Sequence, residues 1–311
     1  MRRQIIVMFT GLFWLLAGLA PLPVAAQEAA QKSAPVANRG ALFRIEHDGH
    51  VAWLFGTIHV GARSFYPFEP RLMTALREAG VLALEVDPLG PQDEIARAVR
   101  EHGMYQNGRG PASAELPAPY RPRLERLLRQ YGIGAQTVAP MKPWMIASLL
   151  AVREFEKQGY RAELAVDAWL SEQAHARGQK VVELESVASQ MALFGRMAPA
   201  DQARFLRESI DAVEDKEQAD DARAILQAWS QADRAALERI AAKTAADTTY
   251  SGRFVSEVLL AGRNPALADG IEKLLKQERR SVAAIGVLHL VGTGSVPELL
   301  RGRGLRVERI Y

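Results

Sequence analysis

"SVAAIGVLHLVG", Ser281 to Gly292, decides how this chain folds. Its first eight residues carry no charge and are almost all apolar or small. Such a run suits a strand buried on both faces, as parallel strands are. It leads into Gly286-x-x-His289, followed by Leu290, Val291 and Gly292. Working outward, the same phrase stands 230 residues earlier, where "VAWLFGTIHVG", Val51 to Gly61, ends in Gly56-x-x-His59 and a glycine. Two more apolar runs end in acids. "VLALEVD", 81–87, carries Glu85, and "VVELES", 181–186, carries Glu183 and Glu185.

The segments between these runs supply the rest of the fold. Asp48-Gly49 is a tight-turn pair, so 41–56 reads as a hairpin. Residues 68–79 read as a helix entered near Pro70. "RLERLLRQY" sets Leu124, Leu127, Leu128 and Tyr131 at helical spacing. Ser230 with Asp233 reads as an approximate capping box. From about 89 to 278 the pattern is mostly helical. "GSVPELLRGRG" is a helix closed by glycine, and "LRVERIY" is a last strand of period two. The expected fold is α/β with mixed α+β character. One central mixed sheet takes strands from both termini and is surrounded by helices, in a single domain over 40–311.

Composition bounds the function. With 311 residues, 48% hydrophobic and 24% charged, the chain has globular composition and enough length for a sizeable core. The formal net charge is +3, and +1 once Arg2 and Arg3 are discounted. That supplies no broad basic field, so nucleic acid is not an expected partner. "MRRQ" followed by "IIVMFTGLFWLLAGLA" and "PLPVAAQ" reads as a signal peptide over 1–26, cut after Ala26. A periplasmic or secreted protein without a membrane span is then expected, with 27–39 as a disordered lead-in. The chain has no cysteine, which removes thiolate metal sites, cysteine nucleophiles and disulfides together.

The chemistry-bearing residues sit at the carboxyl ends of the apolar runs. In open α/β sheets that edge is where ligands bind. A histidine there can ligate a divalent ion or move a proton. A carboxylate there is costly unless paired, hydrogen-bonded or metal-bound. His59, His289, Glu85 and Glu185 are therefore the expected metal ligands, with Glu85 and Glu185 also the candidate bases. Glu185 is preferred over Glu183 because it lies nearer the strand end. Gly56 and Gly286 allow a tight turn or close approach to a cofactor. With no thiolate, imidazole and carboxylate suit manganese, cobalt, zinc or iron. His47, His50, His102 and His175 read as ordinary polar or solvated residues.

"LFGTIHVG", "LALEVD", "MKPWMIASLL", "VDAWLSEQAHARGQKVVELESVASQ", "GRNPALADGIEKLL" and the C-terminal "AIGVLHLVGTGSVPELLRGRGLRVERIY" resemble, in this order, the TraB/PrgY/GumN family. The resemblance covers about residues 40–311. It implies kinship with the animal Tiki proteins, described as metal-dependent proteases with paired Gly-x-x-His motifs. It also implies a core related to erythromycin esterase and ChaN-like proteins. The motif positions it carries over are Gly56, His59, Glu85, Glu185, Arg263, Asn264, Gly286 and His289. Arg263 and Asn264 join the candidate catalytic set in this way. Gly262 departs from the family pattern, which often has an acid before the Arg-Asn pair.

The leading expectation is an exported metal-dependent hydrolase acting on a peptide or small molecule. It is neither a zincin nor a serine hydrolase of the nucleophile-elbow type, since HExxH and GxSxG are both absent. Two other readings stand beside it. One is a non-catalytic binder of metal, haem or peptide. The other is an accessory of envelope or polysaccharide assembly whose helical middle docks an envelope protein.

Overall fold

The computed structural model describes residues 36–106 and 109–311. The expected signal peptide, and the expected lead-in as far as residue 35, lie outside the described residues. Of the rest of that lead-in, residues 36–39 form neither helix nor strand. Arg39 is tied down there, donating to the Ser64 carbonyl at 2.9 Å.

Six strands form one mixed sheet: β1 (Leu42–His47), β2 (His50–Thr57), β3 (Val81–Leu84), β4 (Lys180–Glu183), β5 (Arg280–Gly286) and β6 (Arg306–Arg309). Their order across the sheet is β4-β3-β5-β2-β1-β6. β4, β3, β5 and β2 run parallel, while β1 is antiparallel to both β2 and β6. The sheet thus joins strands from both ends of the sequence, as expected. The proposed kinship with erythromycin esterase and ChaN-like cores rests on the resemblance alone.

Local sequence explains the main elements. Asp48 and Gly49 both have positive φ, 47° and 80°. That is the backbone a two-residue hairpin loop needs, and it brings His47 opposite His50. β5 lies inside the sheet between β3 and β2, and from Ser281 to Gly286 every residue is buried. An uncharged run is the only kind that fits there at low cost. β4 and β6 occupy the two edges and carry charge: Lys180 and Glu183 on one, Arg306 and Arg309 on the other. Charged edges discourage further strand addition.

Helices pack on the sheet and on each other. Helix Pro70–Glu78 packs on β5, helix Asn264–Gln277 on β1, β2 and β5, and helix Val166–Ala176 on β3 and β4. The first starts at Pro70, as expected, with the Glu69 carboxylate accepting from the N–H groups of Arg71 and Leu72. Helices Pro143–Lys157, Pro199–Glu214 and Glu217–Ser230 form a packed layer of their own. Trp229 fastens that layer to the sheet. It is fully buried, packs against Phe55, Phe65 and Phe68, and donates its indole N–H to the Gly56 carbonyl at 2.8 Å.

One local expectation changes. Ser230 ends helix Glu217–Ser230, and Asp233 itself caps helix Arg234–Ala245 by accepting from the Ala236 N–H. The turn between the helices needs Ala232 at φ 49°, so the chain reverses before the cap and not through it.

Candidate active site at the carboxyl edge of the sheet

Because β4, β3, β5 and β2 are parallel, their carboxyl ends share one edge of the sheet. Glu85 follows β3 directly. His59 stands two residues beyond β2. Glu185 stands two beyond β4, and its N–H donates to the Glu85 carbonyl at 2.9 Å. β5 runs into a 3-10 turn, Val287–Leu290, that holds His289. Side chains separated by up to 230 positions in sequence therefore meet at a single edge.

Gly286 marks the meeting point. A Cβ placed on it would lie 3.3 Å from Glu85 Oε1, 3.6 Å from His59 Nε2 and 3.6 Å from His289 Cδ2. The two imidazoles both reach within 3.6 Å of that one point, so those atoms are at most about 7 Å apart. The Gly286 N–H donates to Glu85 Oε1 at 2.6 Å. His289 Nε2 is 4.0 Å from the same oxygen.

Arg263 completes the centre. It follows a π-helical segment, Phe254–Ala261, whose wide turn is closed by the Gly262 N–H donating to the Glu257 carbonyl. Such segments mark functional sites often. Arg263 Nη2 donates to Glu85 Oε2 at 2.5 Å and also to Glu185 Oε2. Nε donates to Glu185 Oε1 at 3.0 Å. Nη1 is shared at 3.3 Å between the Leu259 carbonyl and His289 Nε2. Gln190 bridges the two acids from its own helix, donating to Glu85 Oε2 at 3.2 Å and Glu185 Oε2 at 2.8 Å.

Each histidine has its Nδ1 side fixed. His59 Nδ1 donates to Asp167 Oδ2 at 2.7 Å, and the Thr57 hydroxyl donates to Asp167 Oδ1 at 2.7 Å. His289 Nδ1 pairs with Asn264 Oδ1 at 2.6 Å. The Asn264 amide nitrogen donates to the Gly294 carbonyl, which sets its oxygen toward the ring. His289 is therefore the donor at Nδ1 and carries its lone pair at Nε2.

Electrostatics separate the two rings. Burial holds His289 down at about 3, reinforced by the Arg263 cation, so it is neutral at neutral pH. Burial also acts against a charged His59, but the Asp167 carboxylate and its hydrogen bond outweigh it, with help from Glu85. The pKa of His59 is raised. Burial would push Glu85 up. Arg263, the two histidines and the Gly286 N–H outweigh that and hold it at about 2. Glu185 is the outermost of the acids, 13% exposed against 2% for Glu85.

His59, Glu85, Glu185, Arg263, Asn264, Gly286 and His289 are thus gathered at one edge. Gly56 lies inside β2, where a Cβ would press on Val287 at 2.9 Å, and its carbonyl receives Trp229. Its contacts are packing contacts. Asp167, Thr57 and Gln190 belong to the centre, and sequence reasoning passed over them. Glu183 turns away and accepts from the Asp87 N–H at 2.8 Å. His50 bonds the Leu275 carbonyl at 2.8 Å, and His175 pairs with Asp87.

By residue type alone, the imidazoles and carboxylates at this edge are donors of the kind divalent ions take. Both rings commit Nδ1 elsewhere and face Glu85 with their other side, the usual habit of ligating histidines. Two imidazoles and a carboxylate make a borderline-hard set. Among the described residues no three His, Asp or Glu side chains stand at ion-binding spacing, and the Arg263 guanidinium already bonds both Glu85 Oε2 and His289 Nε2. An ion at this edge would have to compete with Arg263 for Glu85.

Residues 41–309 match the TraB/PrgY/gumN family. The chain is 25% identical over 251 residues to the uncharacterized protein YbaP of Escherichia coli strain K12, an alignment covering 80% of this chain and 87% of that one. The same figures hold for YbaP of Shigella flexneri. No solved structure matches. Among the described residues no helix is long and apolar enough to cross a membrane.

Proposed function

The chain belongs to the TraB/PrgY/gumN family, and on that premise we propose that it is an exported, metal-dependent hydrolase of a peptide or related acyl bond. One observation carries the reading. His59 and His289 converge on Glu85 at Gly286, each with its Nδ1 side committed to a neighbour. His59, His289 and Glu85 would hold the ion, which is manganese, cobalt, zinc or iron. Bound there, the ion supplies Lewis acidity toward a water and an acyl carbonyl.

The chain's own residues divide the remaining work. Glu85, tied by Arg263 and the Gly286 N–H, stays ionised and keeps its place. Glu185, the more exposed acid, takes the proton as general base. Arg263 holds both acids through Nε and Nη2. Its Nη1, on the two longest of its bonds, is the donor that turns to a developing oxyanion or a substrate carboxylate. Export follows from residues 1–26, with cleavage after Ala26.

The burial of the centre favours a second reading. His289 is fully buried and His59, Glu85 and Arg263 are each under 7% exposed. That suits a non-catalytic accessory of envelope or polysaccharide assembly that binds an ion, haem or a peptide, alone or with an envelope partner. One experiment decides between them. The protein is stripped of metal, reloaded with each candidate ion, and screened against peptide, ester and amide libraries. Turnover that needs an ion supports the hydrolase. Ion binding without turnover by any loaded form replaces it with the binding reading.

A further inference from the structure

The two histidines have unlike supports. His289 leans on the neutral amide of Asn264, whereas His59 leans on the carboxylate of Asp167. Asp167 lies in the first turn of helix Val166–Ala176 and is 4% exposed. Both of its oxygens are spoken for, one by the Thr57 hydroxyl and one by the His59 ring, each at 2.7 Å. Thr57 is fully buried and is the last residue of β2. A buried carboxylate is costly unless it is hydrogen-bonded in this way. A bond from Thr57 at the end of β2 and one from the buried His59 ring also leave it a single orientation.

We propose that Asp167, locked by Thr57, is a positioning residue that fixes His59 in the Nδ1–H tautomer and so presents Nε2 to the centre at Gly286. The tautomer follows from what a carboxylate can do: it only accepts, so the ring nitrogen facing it carries the proton. A ring turned by half a rotation about its Cβ–Cγ bond no longer meets Asp167 with Nδ1. The clamp therefore selects the orientation as well as the tautomer. As a role the inference rests on the hydrolase reading above. As a statement about the His59 ring it does not.

The test has two readouts. Long-range 1H–15N NMR of the metal-free protein, above the pH at which His59 loses its charge, reports which ring nitrogen bears the proton. The His59→Gln variant identifies the signal. The expected result is an Nδ1–H tautomer for His59, a mixture of tautomers in Asp167→Ala, and substantial recovery in Asp167→Asn, whose amide oxygen can still accept. His289 signals, which depend on Asn264, should stay in place. The second readout is titration with Mn2+ alone, where Asp167→Ala should bind ~10- to 100-fold more weakly than wild type. An Nε2–H tautomer in the wild type, or an unchanged tautomer in Asp167→Ala, overturns the proposal. A general disturbance of both histidines in Asp167→Ala overturns it too, since that is the mark of a structural role only. If Mn2+ does not bind the wild type, the cofactor reading fails and the NMR result still decides the clamp.

Discussion

Arg263 Nη2 donates to Glu85 Oε2 at 2.5 Å, and the two side chains are 4% and 2% exposed. Neither partner is tolerable alone at that depth. Removing one side of a buried pair leaves an uncompensated charge and costs about 3–5 kcal/mol. Arg263→Met should therefore lower the stability measured by urea denaturation by about that amount. The triple variant with Glu85→Gln and Glu185→Gln should recover much of it. A single variant as stable as wild type would show that the pair is not holding these acids.

Acid should weaken the fold through the same centre. His289 stays neutral down to about 3 in the folded protein, but takes a proton near 6.5 once unfolded. Between those values the unfolded chain binds more protons, so stability falls as pH falls. Glu85, held at about 2 against an ordinary 4.5, adds a loss of the same sign over that lower range. His59 runs the other way. Its raised value contributes stability at low pH, which is lost as pH rises through it. Denaturation midpoints at pH 7, 5 and 4 should decline, and His289→Gln should flatten the decline between 6.5 and 3. An unchanged slope in that variant would remove His289 from the account.

Glu85→Gln and Glu185→Gln should separate ligand from base. Glu85→Gln should weaken both ion uptake and turnover. Glu185→Gln should keep the ion and lose on the order of 10²–10⁴ in rate, the usual worth of a general base. Calorimetric ion titration beside steady-state kinetics reads both. Equal loss of ion affinity in the two variants would merge the roles.

Gly286→Ala should damage the site without damaging the fold. Its backbone, φ −51° and ψ 133°, suits any residue. The added methyl would stand among Glu85, His59 and His289, 3.3–3.6 Å from each. Ion uptake should fall well below wild type, with the thermal midpoint within a few degrees. Normal uptake would mean that the ion binds elsewhere.

Much of the sheet was legible because its runs are chemically plain. Asp48-Gly49 announces a hairpin, and the uncharged Ser281–Leu288 announces a buried strand. The order of strands was not legible, since nothing local in β3 says that β5 and not β2 lies beside it. In the site, His59, His289 and Glu85 were found by their place at strand ends. Asp167 was missed because an acid in a helix's first turn is an ordinary surface feature. Its apolar neighbours Ala165, Val166 and Ala168 were the available hint of burial. Gln190 gave no such hint, for its role depends on where Glu85 and Glu185 come to rest. The second phrase's Gly286 could be read as a close approach, but the reason for Gly61 in the first phrase could not. A Cβ on Gly61 would fall 1.7 Å from the Leu164 carbonyl, a clash with backbone on a distant turn.

β5, wedged between β3 and β2, follows both of them in sequence only after the long helical middle of the chain. A nascent chain synthesised as far as residue 279 already holds His59, Glu85, Asp167, Glu185 and Arg263, but nothing to join its two halves of sheet. Pairings this remote in sequence form late and slowly. The centre therefore assembles only when β5 drops into its slot, and a chain arrested or clipped before Gly286 is unfinished at its middle, not merely shortened at its end.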